Sequence, residues 1–277
     1  MGLVDLHIHS TVSDGKFSPA DIVHKSIASG MRIIALTDHD TVNGIQEALD
    51  AANSSPALRV IPGVEISTDV PHGEIHILGY YIDFKSPFLL AKLENMRNSR
   101  VERAKKMVEK LAGLGVKIEY SRVRELASGS TVGRPHIAHA MQEKGYISNF
   151  KEAFERYIGR DGPAYVERDK MTPIEAVNLI IESGGLPVFA HPLTFPDYEK
   201  MTGELVPAGL VGIEVYYKYS TPGDINRVNS LANKYKLIPT GGTDFHGIEA
   251  NEVGIGGVEV PVESAESLLA LAKVKSK

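Results

Sequence analysis

Hydrophobic and polar residues alternate in one short stretch near the start of the chain, residues 4–10. This alternation predicts a β-strand with Asp5, His7 and His9 on one face, because successive side chains of a strand point to opposite sides. Two imidazoles spaced in this way on a rigid strand can bind one cation together. The first strand therefore predicts the beginning of a metal site.

A strand followed by a helix then recurs along most of the chain. The predicted strands are residues 4–10, 32–37, 58–66, 74–80, 186–190, 211–215, 237–241 and a last one near Val258. The first helix is predicted from the pair Ser18-Pro19, which suits a helix cap followed by the first helical residue. Alternating strands and helices imply parallel pairing, and this number of units favours an α/β fold with a closed or nearly closed (β/α) barrel.

The pattern changes at about Pro87, where helical spacing begins and no buried strand follows for some 80 residues. We therefore predict a barrel in two parts, residues 1–96 and 170–277, with a helical insertion at 97–169. Strand and helix alternation resumes at residues 172–175, Thr-Pro-Ile-Glu, which have the form of a capping box.

Composition narrows the classes of function that the chain can serve. It has 277 residues, 30 basic and 35 acidic, and a net charge of -5, which argues against binding long nucleic acid through a basic surface. It contains no cysteine, so any metal must be held by nitrogen and oxygen ligands. No apolar run is long enough for a membrane span and no signal pattern opens the chain, so we expect a cytoplasmic protein. No feature of the sequence indicates an obligate protein partner.

Metal-binding side chains recur at or near the predicted strand ends, which lie at the active-site face of such barrels. They are six histidines and three carboxylates, namely His7, His9, Asp14, His39, Glu65, His76, His191, Asp244 and His246. Imidazoles with hard carboxylates and no thiolate suit Mn²⁺, Fe²⁺ or Zn²⁺, and Glu65 could bridge two ions. The set predicts a cluster of two or three divalent cations, Mn²⁺ foremost.

A site with several metals can activate water and neutralise the charge of a phosphoryl group. Three carboxylates contribute -3 and three divalent ions would contribute +6, so the filled pocket should attract phosphate in spite of the acidic chain. Hydrolysis of a phosphate ester is therefore the predicted reaction. Asp14 has an alternative role in stabilising its glycine-containing loop.

Six short motifs surround the predicted ligands, namely Asp5-Leu6-His7-Ile8-His9-Ser10, Thr37-Asp38-His39-Asp40, Gly63-Val64-Glu65, Glu74-Ile75-His76, Ala190-His191-Pro192 and Gly242-Thr243-Asp244-Phe245-His246. With these motifs the chain resembles the PHP (polymerase and histidinol phosphatase) superfamily of metal-dependent phosphoesterases. The resemblance implies a distorted (β/α)7-type barrel with up to three metals. It implies these ligand sets: His7, His9, Glu65 and Asp244; Glu65, His76 and His191; Asp14, His39 and His246.

Within the superfamily, the insertion and residues 133–138 resemble the branch of nucleoside 3',5'-bisphosphate phosphatases, AMP-type phosphatases and 5'-to-3' exoribonucleases. This implies a small phosphorylated substrate, either a nucleotide or a short 5'-phosphorylated RNA. Arg134 stands just before a predicted helix start, where its guanidinium and the unpaired helical N–H groups can both meet a phosphate. His136 and Arg160 are further candidates, although Arg134 could pair on the surface and His136 could pack.

The predicted mechanism is attack on phosphorus by a metal-bridging hydroxide, with His191 and His246 as candidate proton donors. Histidinol-phosphate phosphatase is an alternative against which the insertion argues. A non-catalytic metal-binding PHP module is another, and the complete ligand motifs argue against it. The tyrosines at 216, 217 and 219 could stack on a base or pack, and Glu74 and Glu214 could support the site or serve structure only.

Overall fold

The computed structural model describes residues 2–53, 55–70, 73–127, 132–167, 171–248 and 251–275. The chain divides into two compact units, one formed by residues 1–91 with 170–277 and the other by residues 92–169. We call them the barrel unit and the helical unit.

Seven strands and ten α-helices are found in the described part of the chain. The strands are β1 (Val4–Ile8), β2 (Ile33–Leu36), β3 (Arg59–Val70), β4 (Gly73–Tyr80), β5 (Leu186–Phe189), β6 (Gly212–Tyr217) and β7 (Ile238–Gly242). The helices are α1 (Pro19–Ala28), α2 (Ile45–Ala52), α3 (Pro87–Gly113), α4 (Tyr120–Leu126), α5 (Arg134–Glu143), α6 (Phe150–Ala153), α7 (Pro173–Glu182), α8 (Tyr198–Leu205), α9 (Pro222–Tyr235) and α10 (Val262–Lys275). A π-helical turn, Phe154–Ile158, follows α6, and a 3-10 turn, Pro192–Thr194, follows β5.

The strands form one sheet in the order of the chain, from β1 to β7. The sheet is nearly closed, because the segment after β7 returns to β1: the N–H of His9 donates to the carbonyl of Phe245 at 2.9 Å. The carboxylate of Asp5 completes this junction by accepting from the N–H and the hydroxyl of Thr243, at 3.0 and 2.7 Å. Because its fully buried carboxylate joins β1 to the segment after β7, Asp5 serves barrel closure. The predicted distorted barrel is confirmed.

Not all of the predicted parallel pairing is found. Strand β4 runs antiparallel to both β3 and β5, whereas the other neighbouring pairs are parallel. The reason is that β3 extends to Val70, so that only two residues separate it from β4, and a connection of that length can join only antiparallel strands. The antiparallel hairpin is the distortion of the barrel.

The predicted last strand near Val258 is wrong, since residues 251–260 have no regular secondary structure. Glycines turn the chain here, and Gly256 has a φ of 73°, a left-handed conformation that glycine adopts without strain. Its N–H donates to the buried carboxylate of Asp5 at 2.9 Å. The carbonyl of Gly256 also accepts from the N–H of Gly2 at 2.9 Å, so these contacts hold the segment without a regular strand.

The predicted helix starts at Pro19 and Pro173 are confirmed. The N–H of Asp21 donates to the hydroxyl of Ser18, and Thr172 and Glu175 form the reciprocal bonds of a capping box. The helical unit has an apolar core of its own, built around fully buried Met107, Leu111 and Met141. Within the described residues, none of the helices combines the length and apolar character that crossing a bilayer requires.

Gly242 sets how closely β7 approaches β1. A Cβ atom at this position would lie 2.5 Å from the backbone nitrogen of His7 and 2.6 Å from the His7 Cβ. We expect Gly242→Ala to lower the free energy of unfolding by about 1–3 kcal/mol, because the strands must separate. Urea denaturation measures this, and Gly254→Ala is the matched control, since no described atom lies within 4 Å of its new Cβ. Equal stability of the two variants would contradict the prediction.

Candidate metal centre

The carboxylate of Glu65 lies at the centre of the predicted ligands. Its Oε2 is 3.2 Å from the Nε2 of His7, 3.2 Å from the Nε2 of His9 and 3.1 Å from the Nδ1 of His39. Its Oε1 is 2.9 Å from the Nδ1 of His76 and 3.0 Å from the Nε2 of His191. The side chain is 1 % exposed. One buried carboxylate therefore faces five imidazoles, which suits a ligand shared between cations.

Asp14 and Asp244 border the cluster. The Oδ1 of Asp244 is 3.1 Å from the Nε2 of His9 and 3.5 Å from that of His7. The Oδ1 of Asp14 is 3.3 Å from the Nε2 of His246, and its Oδ2 is 3.7 Å from the Nε2 of His39. The structure thus brings all nine sequence-predicted ligands together in the barrel unit.

The described part of the chain contains three groups of ligand residues, and within each group the ligand atoms all lie within 4.8 Å of one another. They are His7, His9, Glu65 and Asp244; His9, Asp14, His39 and His246; and His39, Glu65 and His76. The first group has the same members as one predicted set, and the second contains another with His9 added. The third group contains His39 in place of the His191 of the predicted set. His191 nevertheless lies close, because its Nε2 and the Nδ1 of His76 both approach the Oε1 of Glu65. How the ligands divide between ions stays a prediction.

Several buried atoms of the cluster have no hydrogen-bond partner. Among them are the Nε2 of His7, both ring nitrogens of His9, the Nδ1 of His39, the Oε2 of Glu65 and the Oδ1 of Asp14. A buried polar atom without a partner costs about 1–3 kcal/mol, so such a concentration requires an explanation. Coordination to divalent cations would satisfy these atoms, and the nitrogen and oxygen donor set fits Mn²⁺, Fe²⁺ or Zn²⁺.

The charges of the cluster depend on one another. Burial alone would lower the pKa of His9, but the nearby carboxylates of Asp244, Glu65 and Asp14 raise it to about 10. Burial would raise the pKa of Glu65, yet His39, His7 and His76 hold it well below its usual range. The carboxylates are thus ionised at neutral pH, and His9 must lose a proton before it can bind a cation.

Backbone strain is concentrated at the same strand ends. Asp40, His191 and Asp244 have φ angles of 51°, 26° and 47°, in the left-handed region that residues other than glycine rarely adopt. Each such residue costs of order 1–3 kcal/mol and persists only where its surroundings fix it. This strain marks the cluster as a site selected for geometry and not for stability.

Glu214, whose role the sequence left undecided, fixes two of the ligands. Its Oε1 is 3.1 Å from the Nδ1 of His7, and its Oε2 accepts the backbone N–H of His191 at 2.6 Å. The carboxylate therefore orients the ring of His7 with Nε2 toward Glu65 and holds the strained backbone of His191.

We expect Glu214→Gln to lower metal affinity or kcat/KM about 10–100-fold, because an amide of equal size replaces one of the two acceptors with a donor. Mn²⁺ titration by calorimetry, with kcat/KM measured in parallel, tests this. Glu266→Gln on the exposed surface of α10 is the matched control. Equal Mn²⁺ affinity and equal kcat/KM in both variants would assign Glu214 a role in stability only.

Sequence reasoning missed the residues that hold Asp244. The hydroxyl of Tyr217 donates to the Oδ2 of Asp244 at 3.0 Å, and the Nζ of Lys218 donates to the Asp244 carbonyl at 2.8 Å. The same Nζ is 3.3 Å from Oδ2. These bonds leave Oδ1 to face His7 and His9. A lysine directly before an exposed tyrosine carries no signal of this in a single sequence.

Asp38 holds the loop that carries Asp14. Its carboxylate accepts from the N–H and the hydroxyl of Ser10 and from the hydroxyl of Ser13, each at 2.7 Å. Asp38 is almost fully buried. These contacts make Asp38 a support of the loop, since both of its carboxylate oxygens accept hydrogen bonds from Ser10 and Ser13.

The three predicted substrate-binding residues lie in the helical unit. Arg134 is the first residue of α5, and its guanidinium lies over the ring of Phe154, 5.4 Å from the centroid. The Nδ1 of His136 accepts the N–H of Gly133 at 3.0 Å, so this histidine caps α5. Arg160 follows the π-helical turn. Contact of these residues with a substrate stays a prediction.

Comparison with known proteins identifies the family. The PHP domain family matches residues 5–158, from the second residue of β1 to the end of the π-helical turn. The chain belongs to the PHP domain family. This confirms the resemblance that the six motifs predict.

Relatives and a solved structure extend the match beyond those residues. The chain is 35% identical over 250 residues, 87% of its length and 89% of the relative, to a protein of Haemophilus influenzae named 5'-3' exoribonuclease. It is 32% identical over 254 residues, 89% of its length and 88% of the relative, to the 3',5'-nucleoside bisphosphate phosphatase of Chromobacterium violaceum. A Bifidobacterium adolescentis structure, inferred to be a metal-dependent phosphoesterase, aligns with a TM-score of 0.82 and 27% identity over 96% of this chain and 95% of its own.

These relatives confirm the predicted class of enzyme. The chain is a hydrolase of the metal-dependent phosphoesterase type, in the branch that the insertion and residues 133–138 predict.

Proposed function

We propose that this phosphoesterase releases a terminal phosphate or nucleotide from nucleoside 3',5'-bisphosphates or short 5'-phosphorylated RNA. The observation that carries the proposal is the Glu65-centred cluster, in which five imidazoles and two further carboxylates enclose buried atoms without partners. The substrates follow from the two relatives that match nearly the whole chain, named as an exoribonuclease and a nucleoside bisphosphate phosphatase.

The cluster would hold two or three divalent ions, with Mn²⁺ as our first choice. The nine ligands proposed for them are His7, His9, Asp14, His39, Glu65, His76, His191, Asp244 and His246. When bound, such ions lower the pKa of water and offset the negative charge of a phosphoryl group. The burial of His7 and His9 keeps bulk water from competing for the ligand atoms.

The histidines of the cluster divide by exposure. His7 and His9 are fully buried, whereas the side chains of His191 and His246 are 13 % and 20 % exposed. Only a partly exposed imidazole can reach the leaving oxygen of a substrate, which excludes His7 and His9. The side chains of His39 and His76 are also 18 % exposed. We keep His191 and His246 as the candidate proton donors.

The helical unit would supply substrate contacts. Arg134 at the first position of α5 combines a guanidinium fork with the N–H groups of a helix start, an arrangement suited to phosphate. Arg160 and His136 are proposed as weaker contacts, because the Nδ1 of His136 already accepts from Gly133.

A phosphate-release assay with Mn²⁺ tests the proposal on 3',5'-bisphosphoadenosine, 5'-phosphorylated RNA trinucleotide, 5'-AMP and histidinol phosphate. We expect kcat/KM for the first or second to exceed that for histidinol phosphate at least about 100-fold, a difference of about 2.7 kcal/mol. Preference for histidinol phosphate would establish the alternative substrate. Mn²⁺ binding without hydrolysis of any of the four would favour a non-catalytic module.

A further inference from the structure

A cavity of about 420 Å³ lies in the barrel unit beside the metal centre. His191, Glu214 and Tyr217 line it, together with the 3-10 turn after β5 and the connection from β6 to α9. His191 belongs to both places, since its Nε2 is 3.0 Å from the Oε1 of Glu65. A molecule in the cavity would therefore contact His191, which is itself part of the cluster.

The walls of the cavity offer flat apolar surfaces. Phe195 and Pro196 contribute one part, and Tyr217 and Tyr219 contribute another. The two tyrosine rings are 5.7 Å apart and nearly perpendicular, at 80°. The Nζ of Lys218 lies 5.4 Å from the ring centre of Tyr219 and helps to fix this arrangement. Such walls suit a planar ring system.

Tyr219 is 71 % exposed, although it is one of the largest side chains of the barrel unit. It therefore contributes little to the apolar core, and its ring is accessible at the cavity. Aromatic side chains in this situation are typical platforms for nucleobases, each stacked base being worth about 1–3 kcal/mol.

Charge argues against a second phosphate as the occupant. Arg227 is the only basic residue other than histidine among the described residues that line the cavity, and it forms an ion pair with Asp224. Glu214 adds a carboxylate to the wall. The hydroxyl of Ser220 can hydrogen-bond the edge of an uncharged polar ring, whereas that of Thr194 already donates to the carbonyl of His191 at 2.8 Å.

From these observations we infer that the cavity binds the nucleobase of the substrate, with Tyr219 as a stacking residue that favours nucleotides over phosphates without a base. The inference rests on the proposed function, because it places the base beside a phosphate held at the metal centre. It makes Tyr219 a determinant of specificity and leaves catalysis to the cluster.

Kinetics of Tyr219→Leu test the inference, with Tyr219→Phe as the matched control that keeps the ring. For 3',5'-bisphosphoadenosine we expect Tyr219→Leu to raise KM about tenfold, the equivalent of about 1.4 kcal/mol, with kcat within about twofold of wild type. Tyr219→Phe should retain the wild-type KM. For ribose 5-phosphate, which has no base, all three proteins should have equal kinetic constants.

Saturation-transfer NMR with adenosine provides a readout that needs no turnover. The H2 and H8 protons of adenine should receive saturation from wild type and Tyr219→Phe, with and without Mn²⁺, and lose most of it with Tyr219→Leu. Base protons without saturation, or with equal saturation in all three proteins, would overturn the inference, as would an equal rise of KM for ribose 5-phosphate. Adenosine binding without hydrolysis of any phosphate would instead refute the proposed function.

Discussion

Replacement of Glu65 by Gln is expected to lower kcat/KM by more than about 100-fold, the largest effect of any single substitution in the cluster. The physical reason is that Glu65 lies within 3.2 Å of imidazole nitrogens from five histidines and offers both oxygens to them. Glutamine keeps the shape but removes the charge and one acceptor. Loss of a group that only orients ligands already costs about 10–100-fold, so loss of a shared ligand should cost more.

Metal content and kcat/KM should be measured together on purified Glu65→Gln. We expect at least one bound ion to be lost per chain, as measured by elemental analysis. Circular dichroism tests whether the fold is intact, and Glu266→Gln on α10 controls for the loss of a negative charge. A variant that retains both its metal and its turnover would show that Glu65 is not a shared ligand.

Removal of divalent cations is expected to abolish turnover and to lower the melting temperature of the protein. Cations that bind the folded cluster but not the unfolded chain stabilise the fold, by about 2.7 kcal/mol at a concentration 100 times Kd. For a chain of this size that stabilisation corresponds to roughly 5–10 °C in Tm. We expect the melting temperature to fall and not to rise on metal removal, because the buried unpartnered atoms of the cluster gain partners only when an ion is bound.

Differential scanning calorimetry of chelator-treated protein, before and after addition of Mn²⁺, measures the effect. The same experiment with Zn²⁺, and with Fe²⁺ under anaerobic conditions, ranks the candidate metals by the rise in Tm that each produces. Glu65→Gln serves as the matched variant, and its Tm should respond much less to each ion. If chelation left Tm and activity unchanged and no ion raised either, the metal centre itself would be refuted.

The sequence predicted the class of fold because β1 carries a clear alternation, β2 a continuous apolar run, and the helix starts recognisable caps. It failed where the decisive information was the length of a connection. The third strand was predicted to end at residue 66, but it continues to Val70, and the short connection that remains makes the next pair of strands antiparallel. At residues 251–260, glycine turns and the carboxylate of Asp5 replace the strand that hydrophobicity alone predicts.

The site shows the same division. Histidines such as His7 and His39 could be found because their strand positions and motifs are visible in the chain. The partners of Asp244 could not, since Tyr217 and Lys218 act through an oxygen that faces away from the cluster, and any polar residue nearby in space could have served. The Nδ1 of His136 accepts from the N–H of Gly133, a neighbour in sequence, and thereby caps α5. Contact of His136 with a substrate stays a prediction.

The amino-acid sequence by itself determined which chemical groups are present and at which strand ends they stand, because alternation and helix caps are local properties of the chain. It also determined the family, since the motifs are short and contiguous. Only the tertiary structure decided which oxygen faces which nitrogen, how Glu214 and Lys218 fix strained ligands, and that a cavity lined by aromatic rings lies beside His191. These depend on distances between residues far apart in the chain, which are set by the closure of the barrel and not by any local pattern.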